Sequence, residues 1–243
     1  YGVKIPILYE DRSVLAIDKP AGWLLVPFNW QQTKRNLQAA ISSSIAAGDF
    51  WARSRNIRFL RNVHRLDGET SGVLLMAKSP GALNTYGDLF ESRRMEKRYL
   101  AVVSQAPKQA EWVCHQKIGQ DPARIGKMRV DEREGKESET YFKVLASSRG
   151  LTLIEVRPVT GRTHQIRIHL LESGCPIVGD DLYGSPDTRG LALRAIHLSY
   201  RDPFTRRQVQ INAPVDAFLK RYGFGHLTLE RPRPDATADS DAR

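Results

Sequence analysis

Apolar residues fall along this chain in short runs separated by polar turns. Ile7 to Glu10 and Val14 to Asp18 read as two strands joined by Asp11-Arg12-Ser13, a hairpin at the start of the domain. Val73 to Lys78 reads as a buried strand, and Ser79-Pro80 follows as the N-cap and first-turn proline of a helix running to about Glu91. Tyr99 to Val103 carries residues that favour sheets. Glu139 to Ala146 and Leu151 to Val159 alternate inward and outward around Ser147-Ser148-Arg149-Gly150, which predicts a second hairpin. Arg194 to Arg201 and Gln208 to Asn212 give late strands, and Pro176 to Gly184 reads as a strand ending in a glycine-bounded turn. Helical segments are predicted over Asn36 to Ala47, from a Thr163 cap to Gly174, and over Asp216 to Tyr222. Gln116 to Lys136 reads as a charged, mobile loop.

Length and composition narrow the class. At 243 residues and 41% hydrophobic, the chain supports one sizeable core. We expect one domain over 1–226, with 227–243, poor in large apolar residues after Arg231, as a disordered tail. No apolar run approaches the roughly 20 residues of a membrane span, so the expectation is no membrane association. Cys114 and Cys175 stand far apart without a Cys-x-x-Cys pair, which argues against a disulfide framework or zinc site and for a reducing, cytoplasmic setting. A net charge of +10 favours a nucleic-acid partner. Arg53, Arg55, Arg58 and Arg61, interleaved with Trp51 and Phe59, suit a surface for single-stranded or looped RNA, or else a solvated loop.

The stretch carrying the chemistry is Val63 to Gly72, Val-His-Arg-Leu-Asp-Gly-Glu-Thr-Ser-Gly. Apolar residues flank Asp67, and the glycines allow tight turns and a close backbone approach to a ligand. A half-buried carboxylate needs a cation. Arg65 lies close in sequence, but a glycine-broken chain does not aim it at Asp67, so a distant arginine is the better partner. Arg167 near the first turn of the helix after Thr163 opposes the helix dipole, and pairing with a buried carboxylate would offset that. His164 and His169 are five apart with no carboxylate between them, a poor spacing for a metal. Lys19, in Lys19-Pro20-Ala21-Gly22, reads either as a solvated turn residue or as part of a ligand site.

Taken together these blocks resemble the RluA-type pseudouridine synthases over roughly residues 7 to 222. The resemblance rests on His64-Arg65-Leu66-Asp67 with Thr70-Ser71-Gly72, Lys19 to Gly22, Lys97-x-Tyr99, Thr160 to Leu170, and Gly174 to Asp180 followed by Tyr183-Gly184. It implies an α+β fold: a mixed, largely antiparallel central sheet flanked by helices and loops, with an RNA-binding cleft. The implied reaction isomerises uridine in ribosomal or transfer RNA. The N1–ribose bond breaks, the base turns, and C5 bonds to the sugar, with no cofactor and no metal. Asp67 then matches the catalytic aspartate, Tyr99 the tyrosine stacking on the target base, and Arg167 the arginine pairing with the aspartate. Arg65 matches the arginine that takes the place of a flipped nucleotide, and Lys19, Arg162 and His164 are expected at the RNA. The partner is RNA, and the chain is expected to be a monomer.

Glycosidic bond cleavage builds positive charge on the sugar, which an ionised carboxylate stabilises or attacks. A glycosidase also needs a second carboxylate and water, and Glu69 has no apolar pocket in the sequence. The chain departs from the resemblance at Leu193-Arg194-Ala195, with His197 displaced, and at Asp202-Pro203. These departures keep a second reading open, a catalytically silent RNA-binding or RNA-folding factor using the same cleft. A kinase-like loop, suggested by His-Arg-x-Asp, lacks the downstream Asn, Asp-Phe-Gly and Gly-rich loop.

Overall fold

The computed structural model describes residues 4–25 and 35–229. In chain order the elements are β1 (Ile7–Glu10), β2 (Val14–Lys19), α1 (Leu37–Ala46), α2 (Phe50–Arg53), β3 (Arg61–Asn62), β4 (Ser71–Ala77), α3 (Pro80–Glu91), β5 (Glu96–Val103), β6 (Glu111–Cys114), β7 (Ile118–Gln120), β8 (Met128–Val130), β9 (Thr140–Ser148), β10 (Leu151–Pro158), α4 (Gln165–Glu172), β11 (Leu193–Arg201), β12 (Gln208–Asn212) and α5 (Asp216–Arg221).

Ten strands form one sheet in the order β1-β2-β4-β11-β5-β10-β9-β6, with β12 beside the far end of β11 and β3 beside β4. Every pairing in it is antiparallel except β4 with β11. Apolar side chains on both faces explain why β2 and β4 lie inside it. Val14, Ala16, Val73, Leu75 and Ala77 meet Tyr86 and Leu89 of α3, while Leu15, Ile17, Leu74 and Met76 enter the larger core on the other side. Ser79 caps α3 by accepting the Ala82 N–H at 3.1 Å, with Pro80 in the first turn, as the sequence predicts.

The parallel seam positions the site. Ala195 of β11 pairs with Gly72 of β4 on one side and Tyr99 of β5 on the other, and Gly72 pairs with Lys19 of β2. One row across the sheet thus joins Lys19, Gly72, Ala195 and Tyr99. Gly72 has φ +115°, and a Cβ there would lie 2.0 Å from the Ala195 carbonyl oxygen. The loop carrying Asp67 enters β4 directly above this contact.

Three expectations need correction. Gln116 to Lys136 is not a structureless loop: β7 and β8 form a small antiparallel sheet whose Ile118, Met128 and Val130 pack on Ile168, Leu171 and Tyr183. Pro176 to Gly184 is a turn held by one bridge, Val103 to Ile177, because Asp180 Oδ1 accepts the Leu182 and Tyr183 N–H groups at 3.1 and 3.0 Å and bends the chain. The helix after Thr163 is capped by His164 in the left-handed region, φ 56°, rather than by Thr163. Short β3, β6 and α2 also escape the sequence pattern. Leu227 and Leu229 pack against the main core, while 230–243, most of the expected tail, lies outside the described residues. No helix among the described residues is long and apolar enough to cross a membrane.

Replacing Gly72 by Ala should destabilise the protein by about 3 kcal/mol or more, since backbone strain and overpacking each cost roughly 1–3 kcal/mol. Urea unfolding tests this: the midpoint should fall with the slope unchanged, and a midpoint within error of wild type would mean the seam can open at no cost.

Candidate active site

A cleft of about 360 Å³ opens beside the seam, lined by the 63–67 segment, the end of α3, Lys97 and Tyr99 of β5, and the 160–167 segment. Asp67 stands in it with a side chain 24% exposed, reachable by solute yet flanked by buried Leu66.

Lys19 holds the Asp67 loop from below. Its side chain has no exposed surface, and Nζ donates to the Pro20, Gly68 and Thr70 carbonyls at 3.0, 2.8 and 2.9 Å. This corrects the solvated-turn reading of Lys19: its ammonium faces the backbone beneath Asp67 rather than water. Burial pushes its pKa down to about 8, against the opposing pull of Glu69 and Asp67. A Cβ at Gly68 would meet the tip of the Leu24 side chain at 2.6 Å, so a larger residue there would displace Leu24.

The opposite wall comes from α4, which is buried over Gln165 to Leu170. A helix enclosed this way must pair each of its polar side chains. Gln165 Oε1 accepts from Thr160 and the Arg162 N–H, and its Nε2 donates to Glu139 and Thr140, which pins the 160–164 loop. His169 meets Thr140 and Ser138, each at 2.9 Å. Arg167, 4% exposed, directs Nη1 toward Asp67 Oδ2 at 3.7 Å. The Asp67–Arg167 neighbourhood expected from the sequence is therefore present, but the shortest contacts of Arg167 go to Asp180, with Nε to Oδ2 at 2.8 Å and Nη2 to Oδ1 at 2.6 Å.

Tyr99 is buried against the same space. Burial first, and then the Asp67 charge, raises its pKa above the ordinary tyrosine value, so the phenol stays protonated. Lys97, two residues earlier on the strand, donates Nζ to the Thr160 carbonyl at 3.0 Å, and burial lowers its pKa to about 8. His64 stacks on Phe90 with centroids 4.5 Å apart and accepts the Leu75 N–H at Nε2. Desolvation and the Lys97 charge push its pKa down to about 3, so it is neutral at physiological pH.

At the mouth, exposed Arg65 donates Nη2 to Thr163 Oγ1 at 2.9 Å and bridges the Asp67 loop to the 160–164 loop. Arg162 lines the cleft but turns Nε to the Glu137 carbonyl at 2.9 Å. His164 Nδ1 lies 2.8 Å from Tyr183 Oη, which also accepts the Met128 N–H at 2.8 Å. Burial lowers the His164 pKa. The structure thus brings six of the seven sequence-predicted residues to the cleft and withdraws Lys19 beneath it. Sequence reasoning assigned no role to His64, Phe90, Lys97, Asp180 or Tyr183. Lys97 was legible, since residues two apart on a strand share a face with Tyr99. Among the described residues no cluster of His, Cys, Asp or Glu could hold a metal ion.

The mixed sheet thus carries one partly exposed carboxylate between a buried guanidinium and a buried tyrosine, an arrangement with room for a flat ring beside an anionic group. Comparison with known proteins agrees: the family described as RNA pseudouridylate synthase matches residues 13–172, and the chain belongs to that family. It is therefore an RNA pseudouridine synthase, an isomerase. It is 37% identical over 232 residues to the ribosomal large subunit pseudouridine synthase C of Salmonella typhimurium, covering 88% of this chain and 68% of that one. Among solved structures, human RNA pseudouridylate synthase domain containing 1 superposes with a TM-score of 0.69 at 25% identity, covering 87% of this chain and 83% of the other. The human domain-containing-4 protein shares the fold, with a TM-score of 0.73 at 23% identity and coverage of 93% and 94%.

The Lys19 site predicts a split between activity and stability at high pH. Its folded pKa lies below the unfolded one, so the native state loses the proton first, and its contribution to stability increases from about pH 8 to the ordinary lysine range. Deprotonation nonetheless removes a donor from the three carbonyls under Asp67. Turnover should fall as pH rises through about 8 without this group lowering the melting temperature over the same interval. A turnover number level to pH 9 would refute it.

Proposed function

We propose that the protein isomerises one or more uridines of large-subunit ribosomal RNA, with Asp67 as the carboxylate that acts on the ribose. The observation carrying this reading is Asp67 itself, partly exposed in the cleft with Arg167 Nη1 at 3.7 Å and Tyr99 buried alongside. The choice of ribosomal over transfer RNA leans on the ribosomal activity for which the relative at 37% identity is named.

The target nucleotide must leave its stack to reach Asp67. Tyr99 offers its ring to the uracil face, and Arg65, exposed at the mouth, can fill the space the base vacates. As the N1–C1′ bond breaks, the electron pair goes to the uracil ring and positive charge grows on the ribose. An ionised Asp67 below the sugar stabilises that charge, whether it bonds C1′ or takes the C2′ proton. The freed uracil, held in the cleft, turns until C5 faces C1′. The C5–C1′ bond forms, the C5 proton departs, and N1 regains a proton, so the RNA leaves with no net change in atoms. A second depression, about 690 Å³, shares Arg93, Lys97 and Pro158 with the cleft and gives the flanking strand a path past Arg93 and Arg94.

The test is tritium release from ribosomal RNA labelled at uracil C5 and taken from cells lacking the protein. Wild type should release tritium, and mapping should put the product in large-subunit RNA. Asp67→Asn should lower the rate about 10³-fold or more, with RNA binding retained and the melting temperature little changed, because charge is removed without volume. Release by Asp67→Asn at the wild-type rate would remove Asp67 from the chemistry. RNA binding with no release by either protein would favour the silent binding factor.

A further inference from the structure

Three carboxylates surround the Arg167 guanidinium at unequal range. Asp180, with a side chain 1% exposed, takes the Nε–Nη2 edge in a two-point pair, while Asp67 meets the Nη1 corner at 3.7 Å and the exposed Asp181 lies 3.6 Å from Nη2. We propose that Asp180 is the positioning residue of the active site, holding Arg167 by its inner edge so that the guanidinium orients Asp67 without binding it. The inference rests on the reading that Asp67 is the reacting carboxylate.

Geometry gives Asp180 a fixed seat. Its Oδ1 accepts the Leu182 and Tyr183 N–H groups at 3.1 and 3.0 Å, in a turn that needs Gly179: φ there is +74°, and a Cβ would lie 2.0 Å from the Gly190 carbonyl oxygen. The same turn sets the Tyr183 ring against the guanidinium, 5.1 Å from Arg167 Cζ to the centroid, and ties the Tyr183 hydroxyl to His164. Arg167 is therefore constrained on its edge and on its face, and one corner remains for Asp67.

Two physical consequences follow. A two-point pair between Arg167 and Asp67 would occupy both oxygens of the reacting carboxylate. With Asp180 taking that edge, both Asp67 oxygens stay free of a short bond to Arg167. Asp67 also loses its negative charge during the reaction, whichever of the two routes it takes. An arginine relying on Asp67 alone would then be a buried unpaired cation, which is strongly unfavourable. Asp180 keeps Arg167 compensated throughout.

Asp180→Asn preserves size and the Oδ1 acceptor for the turn while removing charge. Single-turnover tritium release should be compared for wild type, Asp180→Asn, Arg167→Gln, the Asp180→Asn/Arg167→Gln double variant and Asp67→Asn. We expect Asp180→Asn to lower the rate constant about 30-fold, with half-saturation by RNA within about 3-fold of wild type, and to add less than about 3-fold on top of Arg167→Gln. Equal losses in both backgrounds would mean that Asp180 acts through its turn and not through Arg167, and would overturn the proposal, as would a wild-type rate for Asp180→Asn. If the single variant does not fold because Arg167 is left unpaired, the double variant carries the decision. A rate equal to Arg167→Gln upholds the proposal and a further fall overturns it. Activity in Asp67→Asn would defeat the underlying catalytic reading instead, whatever Asp180 does.

Discussion

The absence of a side chain at Gly72 is the constraint on which the rest of the structure depends. Two antiparallel halves meet there in the sheet's one parallel pairing, with the Ala195 carbonyl where a Cβ would otherwise sit. Close approach lets a single row run from Lys19 through Gly72 and Ala195 to Tyr99, so residues separated by eighty positions in sequence share one floor. The loop preceding Gly72 is tied down by the Lys19 bonds to the Gly68 and Thr70 carbonyls, immediately after Asp67. Arg194, a departure from the expected motif, strengthens the seam: it donates to Asp18 at 2.7 Å, Ser71 at 3.2 Å and the Pro214 carbonyl at 3.0 Å. A cation spanning β2, β4 and β11 in this way explains why the change there leaves the site intact.

Charge inside the site is balanced locally, and this separates binding from chemistry. Lys19 and Lys97 are spent on carbonyls, Arg167 on Asp180, and His64 is neutral. Attraction for phosphate must then come from the outer arginines, Arg65, Arg93 and Arg94 among them, whose charge remains at the surface. A deep cation left free would have drawn a phosphate onto Asp67. Placing the free charge at the rim draws the backbone there and leaves the interior for a base.

Asp67 and Arg167 stand out in the sequence because each sits in a local pattern whose chemistry is unusual, a carboxylate among glycines and apolar residues and an arginine against a helix dipole, whereas a tyrosine at a strand start is ordinary and Tyr99 is singled out only by the family resemblance. Lys19 reads most readily as solvated because Lys-Pro-Ala-Gly has the composition of a surface turn, and its inward-facing ammonium shows only in its bonds to the Pro20, Gly68 and Thr70 carbonyls. Asp180 was passed over for a similar reason, since Gly-Asp-Asp in a turn is ordinary, and its partner lies thirteen residues back on a different element. The β7–β8 hairpin was hidden by its own brevity, because three-residue strands among charges carry no readable period.

The number of usable carboxylates decides between isomerisation and hydrolysis. A hydrolytic glycosidase needs one carboxylate at the sugar and a second, protonated by its surroundings, at the leaving group. In this cleft the acidic lining residues are Asp67 and Glu91, and Glu91 is exposed at the end of α3, with nothing to bury it as a general acid requires. Asp180 is near enough to Arg167 to be committed there, and Glu69 is exposed outside the lining. On the proposed reading, a uracil released beside Asp67 meets, among the described residues, no proton donor of the glycosidase kind and no second carboxylate placed to activate water. What it does meet is a protonated phenol, a neutral imidazole at His64 and a closed floor. An anionic base held over an electrophilic sugar recombines through whichever ring atom is presented to C1′. The same sparseness that makes the site a poor hydrolase leaves the carbon–carbon bond as the product within reach.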